Sequence, residues 1–309
     1  MVSFPRFRFP KTSYAKLFAA LLTLVVFFLI SVALIAGFLV YHILEPPRST
    51  SDLNIGLLMG QPSNETFALP GGGTREGLFF PGLNGAPTVI LCHGYRSQRT
   101  DVLPILTSFQ QHGYNVFLFD FTGHGASAGT TTLGYREAGE VLSAIQMLAK
   151  RTDVDRSRFG AWGTDLGAYS ILIAATTDAR IRSLAVASVY DSPRDLLVEE
   201  VNRSGLEALP MVVGFSRVAF RLLNYSYRQA PTASQRLAQL HDVAKLFIVV
   251  RDRPELAEAT QKLFDRAPEP KRKLEEKESY AEMSDEARRA YENQILNFFL
   301  ETLPPAPGR

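Results

Sequence analysis

A run of five residues, Gly163-Thr164-Asp165-Leu166-Gly167, has the types and spacing of a reactive turn. It follows the pattern G-x-S-x-G, in which a serine is held on a tight bend between a strand and a helix, but with aspartate at the centre. A carboxylate there has two readings. It can act as a nucleophile that forms an ester with its substrate. Alternatively, it can be a non-catalytic carboxylate held at a helix N-terminus by the dipole and the free amides, where it accepts hydrogen bonds and fills the site itself.

Two further short motifs precede this turn, each at the end of an apolar run. His93-Gly94-Tyr95-Arg96-Ser97-Gln98 follows residues 88–93, and the stretch DFTGHGASAG starts at Asp120 after residues 115–120. Unbroken apolar runs of this length read as buried parallel strands, and further ones occur at 158–162, 183–190 and 245–250. Helical spacing occupies 102–112, 135–150, a segment from Leu166, and 286–303. Gly71-Gly72-Gly73 separates two strand-like pieces and reads as a hairpin turn, since no helix follows it as a phosphate loop would require. Residues 193–240 contain no strand pattern and read as a helical insert. The alternation predicts an α/β architecture, a doubly wound and mostly parallel sheet.

The three motifs, in this order and on these elements, resemble the α/β-hydrolases, especially the serine-aminopeptidase-like and monoacylglycerol-lipase-like members. The resemblance covers residues 65–303 and implies an α/β-hydrolase domain over 61–303 with its insert at 193–240. It also implies an oxyanion hole made by the backbone N–H groups of Tyr95 and Leu166, in a site that includes His93, Gly94, Gly163, Gly167 and His124. The family's G-H-G-x-S loop is Gly123 to Ser127, and the arginine often found before it is replaced by Thr122. Relatives with a nucleophilic aspartate, such as haloalkane dehalogenases and epoxide hydrolases, usually follow it with tryptophan, whereas this chain has Leu166.

In the chain order nucleophile, acid, histidine, the histidine comes after the last strand. The five histidines are His42, His93, His112, His124 and His241, so none lies beyond 241. His241 precedes the strand at 245–250, which places it at the foot of the sheet, away from the carboxyl ends where such sites form. Where the family has its histidine this chain reads KESYAEM, and Tyr280 there is a phenol of ordinary pKa near 10, a poor base at neutral pH. The acid is either Asp252, after that strand, or Asp191, at the end of SVYDS; each is equally readable as a cap or a solvated residue. His93 reads as a structural histidine shaping its turn, while His124 lies on the catalytic face. GFSRV at 214–218 mimics part of the elbow pattern but lacks its second glycine and the strand before it.

The chain has 309 residues, of which 46% are hydrophobic and 21% charged, enough for one large domain plus a further segment. That segment is N-terminal. Residues 17–44 carry no Asp, Glu, Lys or Arg and exceed the roughly 20 apolar residues that span a bilayer. The run is also longer than a signal-peptide core, and Ala33 and Ala36 are spaced wrongly for a small-x-small cleavage site. Arg6, Arg8, Lys11 and Lys16 precede it within a basic tail at 1–16, so the positive-inside rule predicts a single-pass anchor with its N-terminus cytoplasmic and the domain outside. EPPRSTSD opens a linker at 45–60, and 304–309 reads as a disordered tail.

The net charge is +2; without those four basic residues 29 basic face 31 acidic, so no basic face for nucleic acid is predicted. Cys92, the single cysteine, sits in an apolar run and reads as a buried inert thiol. Scattered His and Cys argue for no metal and no cofactor. The sequons at Asn64, Asn202 and Asn224 matter only in a glycosylating compartment. The expected partners are the bilayer, through 17–44, and a small acyl or peptide ligand. Two functions stay open: a binding or scaffolding protein on a hydrolase fold that has lost its serine–histidine pair, or a hydrolase of an ester, amide or lipid-like acyl substrate acting through Asp165.

Overall fold

The computed structural model describes residues 11–49, 62–206 and 209–305. Most of the linker expected at 45–60, most of the basic tail and the end of the C-terminal tail lie outside the described residues.

The chain begins with α1 (Lys11–Leu44), a continuous helix built from the apolar run. Its part from Tyr14 to Leu44 is long and apolar enough to cross a membrane. After it, β1 (Ser63–Ala68) and β2 (Thr74–Phe80) pair antiparallel. Gly71, Gly72 and Gly73 turn between them with φ of 90°, 106° and 83°, a region that glycine enters without steric cost.

The core strands are β3 (Ala86–Cys92), β4 (Asn115–Phe119), β5 (Val154–Thr164), β6 (Ile181–Ala187) and β7 (Ala244–Val250). With β8 (Lys271–Glu276) they complete one eight-stranded sheet in the order β1-β2-β4-β3-β5-β6-β7-β8. Pairing is antiparallel from β1 through β2 to β4 and parallel from there on. Successive residues of β5 serve opposite layers: Phe159 and Ala161 belong to one core and Trp162 to the other.

The helices fill both layers. On one face lie α2 (Leu103–Gln111) and α9 (Asp285–Thr302); on the other lie α3 (Glu137–Leu148), α4 (Asp165–Ala175) and α8 (Pro254–Arg266). The segment at 193–240 contributes α5 (Pro193–Val201), α6 (Pro210–Leu223) and the short α7 (Ala233–Arg236), with no strand among its described residues.

Three differences from the sequence reading have physical causes. The apolar run at 183–190 ends as a strand at Ala187, because Ser188 takes φ of +52° and turns the chain. The strand β8 was not expected, since KRKLEE is mostly charged; as the edge of the sheet it exposes those charges, which blunts edge-to-edge pairing. Likewise α8 has a mixed sequence whose buried stripe is only Leu256, Ala257, Thr260 and Leu263.

The loop after β4 is fastened to α3 by a buried carboxylate. Glu140 accepts hydrogen bonds from the Thr122 hydroxyl at 2.5 Å and the Thr122 N–H at 3.2 Å. Arg75 of β2 donates to the same hydroxyl at 2.5 Å and lies 3.9 Å from Glu140.

Burial, and then the nearby Glu137, push the Glu140 carboxyl up to about 7 from an ordinary 4.5. A raised acid favours the protonated folded form, so its contribution is full below about 4.5 and is lost as pH rises through about 7. Glu140→Gln is expected to flatten the fall in stability across that window, read from denaturant midpoints at pH 5 and pH 7.5.

Candidate active site at the β5–α4 elbow

The elbow is built by close approach of three backbone segments. A Cβ on Gly163 would come within 2.8 Å of Gly167 carbon and 3.0 Å of the Cys92 oxygen. A Cβ on Gly167 would meet the Cys92 oxygen at 2.4 Å, and one on Gly94 would meet Thr164 Oγ1 at 2.7 Å. Between these glycines Asp165 has φ of +33°, a left-handed conformation that costs a residue with a side chain, and it is the first residue of α4.

The Asp165 carboxylate fills the hole that the turn creates. Its Oδ1 accepts the Tyr95 N–H at 2.6 Å and also the Leu166 N–H. These are the two amides that the resemblance assigns to an oxyanion hole. Its Oδ2 pairs with Arg253 Nη1 at 2.8 Å. Arg253 in turn donates Nε to Glu199 Oε1 at 2.6 Å and Nη2 to Glu199 Oε2, and Nη2 lies 3.5 Å from Glu200. Arg96 approaches Glu200 at 3.6 Å, and Arg203 lies 3.9 Å and 4.0 Å from Glu199 and Glu200.

Three acids and three arginines therefore form one balanced cluster around the elbow. The side chains of Asp165, Arg253, Glu199 and Glu200 are only 10%, 14%, 3% and 4% exposed, so solvent screens these pairs little. The three neighbouring acids hold the Arg253 guanidinium above its usual range despite its burial. Burial, and then Glu199, raise the carboxyl of Glu200.

The sequence motifs do not single out Arg253, Glu199 or Glu200. Glu199-Glu200 follows LLV on the buried face of α5, where Leu196, Leu197 and Val201 are also buried; two acids inside an apolar helical stripe were the available signal. Arg253 adjoins Asp252 on the loop after β7. The chain turns Arg253 inward and Asp252 outward, where Asp252 accepts the Ser279 N–H at 2.6 Å. Asp191 accepts from Ser234 N–H at 2.7 Å and from the Ser234 hydroxyl at 3.1 Å, and so fastens the start of α7. Both carboxylates thus have backbone partners in loops, and neither is bonded to a histidine.

The histidines are equally accounted for. His93 donates from Nδ1 to the Gly94 carbonyl at 2.8 Å, and its Nε2 accepts the Phe121 N–H at 3.1 Å. Both ring nitrogens are used, and burial lowers its pKa. His124 has Nδ1 3.2 Å from the Thr122 carbonyl, and its buried Nε2 has no hydrogen-bond partner. Its ring packs against Tyr95 and His93, and burial, with His93 second, lowers it to about 4, so it is neutral at pH 7. His241 is exposed beside Asp242 at the entry to β7, far from the elbow in the sheet. Tyr280 donates its hydroxyl to Glu292 at 2.6 Å, and burial raises the phenol well above its ordinary value.

A cavity of about 540 Å³ opens over the elbow, lined by Tyr95, Trp162, Asp165, Ser188, Arg253 and Tyr280 among others. Among the described residues that line it there is no histidine. No group of three or more His, Cys, Asp or Glu among the described residues is arranged to hold a metal ion. Cys92 is fully buried, and burial raises its thiol far above the ordinary range. The Asn224 carboxamide is buried and donates to the Phe220 carbonyl at 3.1 Å, so this sequon is closed off in the folded chain.

The carboxylate generates a direct test. Asp165→Ala frees two convergent amides and leaves Arg253 facing the gap, which makes a carboxylate-sized site. The variant is expected to be less stable than the wild type by about 1–3 kcal/mol, the cost of unpaired charge-assisted hydrogen bonds. Millimolar acetate should restore part of its Tm and leave the wild type unchanged; a variant indifferent to acetate would mean that the amides do not converge as described.

The model of the alpha/beta hydrolase family matches residues 89–307. The uncharacterized protein YfhR of Escherichia coli O157:H7 is 27% identical over 247 residues, covering 75% of this chain and 79% of that protein. An uncharacterized 31.7 kDa protein from the traX-finO intergenic region of Escherichia coli is 28% identical over 142 residues; the match spans 46% of its length and 45% of this chain. The Pyrococcus furiosus esterase Pf2001 superposes with a TM-score of 0.65 at 16% identity, covering 84% of this chain and 99% of the esterase, which is a likeness of fold. With the eight-stranded sheet, the strand–elbow–helix and the family match in agreement, this chain belongs to the alpha/beta hydrolase family.

Proposed function

We propose that this chain is a membrane-anchored member of the family that binds a small acyl or peptide ligand and does not hydrolyse it. The observation that carries this reading is the position of the Asp165 carboxylate. One oxygen takes both oxyanion amides and the other is ion-paired with Arg253, so the lone pairs a nucleophile needs are already engaged. The absence of histidine from the cavity lining supports it, because neither serine-like attack nor ester hydrolysis proceeds well without a positioned base. The cavity and its aromatic wall of Tyr95, Trp162 and Tyr280 supply the binding surface.

The alternative is a hydrolase acting through Asp165, and the retained positive-φ elbow is what favours it. The two readings separate by intact-mass measurement of the full-length protein in detergent during incubation with a panel of acyl esters and peptides. The binding reading expects no adduct and no turnover. An ester mapped to Asp165 that forms and then clears would establish the nucleophile. In the binding reading, Asp165→Ser also stays inactive, since its hydroxyl has no base to take its proton.

For the anchor, α1 spans the bilayer once, with the basic residues before it on the cytoplasmic side and the domain outside. Ser49→Cys should react with an impermeant thiol reagent in intact cells while Ser3→Cys is protected. The reverse pattern would invert the topology. The native Cys92 is buried and contributes no background.

A further inference from the structure

The helix α6, which carries the elbow-like GFSRV at 214–218, has an outward apolar face. Met211, Val218 and Leu222 are exposed and recur at helical spacing with the half-buried Phe215, and Leu223 lies beside them. Leu209 before the helix and Tyr225 after it are also exposed. No acidic residue occurs in α6, and its two charges, Arg217 and Arg221, are exposed.

The opposite face of α6 packs against α1. Val212 and Phe220 of α6 share one buried cluster with Val32, Ala36, Val40 and Ile43 of α1. That packing begins at Val32. The part of α1 before it, residues 14–31, is almost wholly exposed and would measure about 27 Å as a helix, close to the roughly 30 Å of a hydrocarbon core. As an anchor, α1 would therefore leave the bilayer near the point at which it meets α6, where Leu34, Ile35 and Phe38 of α1 are exposed as well.

From this packing of an exposed apolar helix beside the end of the apolar part of α1 we infer that α6 is an interfacial helix, laid against the leaflet from which α1 emerges, with Met211, Val218, Leu222 and Leu223 in the acyl boundary and Arg217 and Arg221 among anionic headgroups. The occupant of this face is the lipid surface. The inference rests on the reading of α1 as a membrane anchor. It has a consequence for the site, because the Tyr95 hydroxyl donates to the Ile43 carbonyl at 2.8 Å and the Thr131 N–H donates to the Leu44 carbonyl at 2.9 Å. The last turn of α1 is thus bonded to the residue whose N–H binds Asp165. Docking of α6 would add a second contact with the bilayer and so set the tilt of the cavity relative to it.

The test uses the full-length chain in vesicles of phosphatidylcholine and phosphatidylglycerol whose acyl chains carry a spin-label quencher. Single cysteines at Phe27, Met211, Leu222 and Glu258 are labelled with a small fluorophore, the native Cys92 being buried. Phe27→Cys reports the anchor, and the exposed Glu258→Cys reports a surface away from lipid. Met211→Cys and Leu222→Cys are expected to lose at least half as much fluorescence as Phe27→Cys, with Glu258→Cys unchanged. Quenching at Phe27 with Leu222 and Met211 as bright as Glu258 would overturn the inference and leave the anchor standing. No quenching at Phe27 would overturn the anchor and the inference together. Energy transfer between copies labelled at Leu222, without lipid quenching there, would show that a second chain covers this face and would also overturn it.

Discussion

Everything at the elbow depends on where one carboxylate sits. Asp165 is held by two backbone amides and one guanidinium, in a turn that admits no Cβ at Gly163 or Gly167. The amides are oriented by the carboxyl ends of β3 and β5 and by the start of α4, so they exist whatever side chain follows Thr164. A serine placed there leaves them free for the negative charge that develops on a substrate. An aspartate supplies that charge permanently. The same geometry that would stabilise a transition state stabilises the resident side chain.

That resident charge has to be matched, because an unpaired buried ion is costly. Arg253 matches it, and being buried itself it is matched again by Glu199 and Glu200. The cluster thereby joins three parts of the fold: the elbow, the loop after β7 and the insert helix α5. In the resemblance to hydrolases the loop after β7 supplies a catalytic acid. Here its inward residue is a base of pKa far above neutrality, and the neighbouring Asp252 faces solvent. The aspartate at the elbow and the arginine turned toward it are complementary: each is the other's ion-pair partner, beside the amides that bind Asp165 and the two glutamates that bind Arg253.

The other polar groups of this face are held by similar logic. His93 spends both nitrogens on its own turn and on the strand end of β4, which keeps the Tyr95 N–H aimed at the elbow. Glu140, Thr122 and Arg75 fix the loop that carries His124. The end of α1 closes the arrangement through Tyr95, so the N-terminal helix and the candidate site share a hydrogen bond.

The sequence alone determined the strand–helix alternation, since buried parallel strands are unbroken apolar runs and the three glycine-bearing motifs fall at their ends. That the N–H groups of Tyr95 and Leu166 converge at position 165 was implied by the resemblance of the three motifs to the α/β-hydrolases, and in the structure both donate to the Asp165 carboxylate. The apolar length of α1 was equally plain. What only the tertiary structure decided was which charges meet. Arg253 lies more than fifty residues from Glu199 and Glu200, and nothing in either segment names the other as its partner. The inward turn of Arg253 and the outward turn of Asp252 depend on the dihedral angles of one loop, which neighbouring residue types leave open. The edge strand β8 was hidden for a related reason: its charges follow from its place at the rim of the sheet, and a strand's position in a sheet is a property of the whole fold.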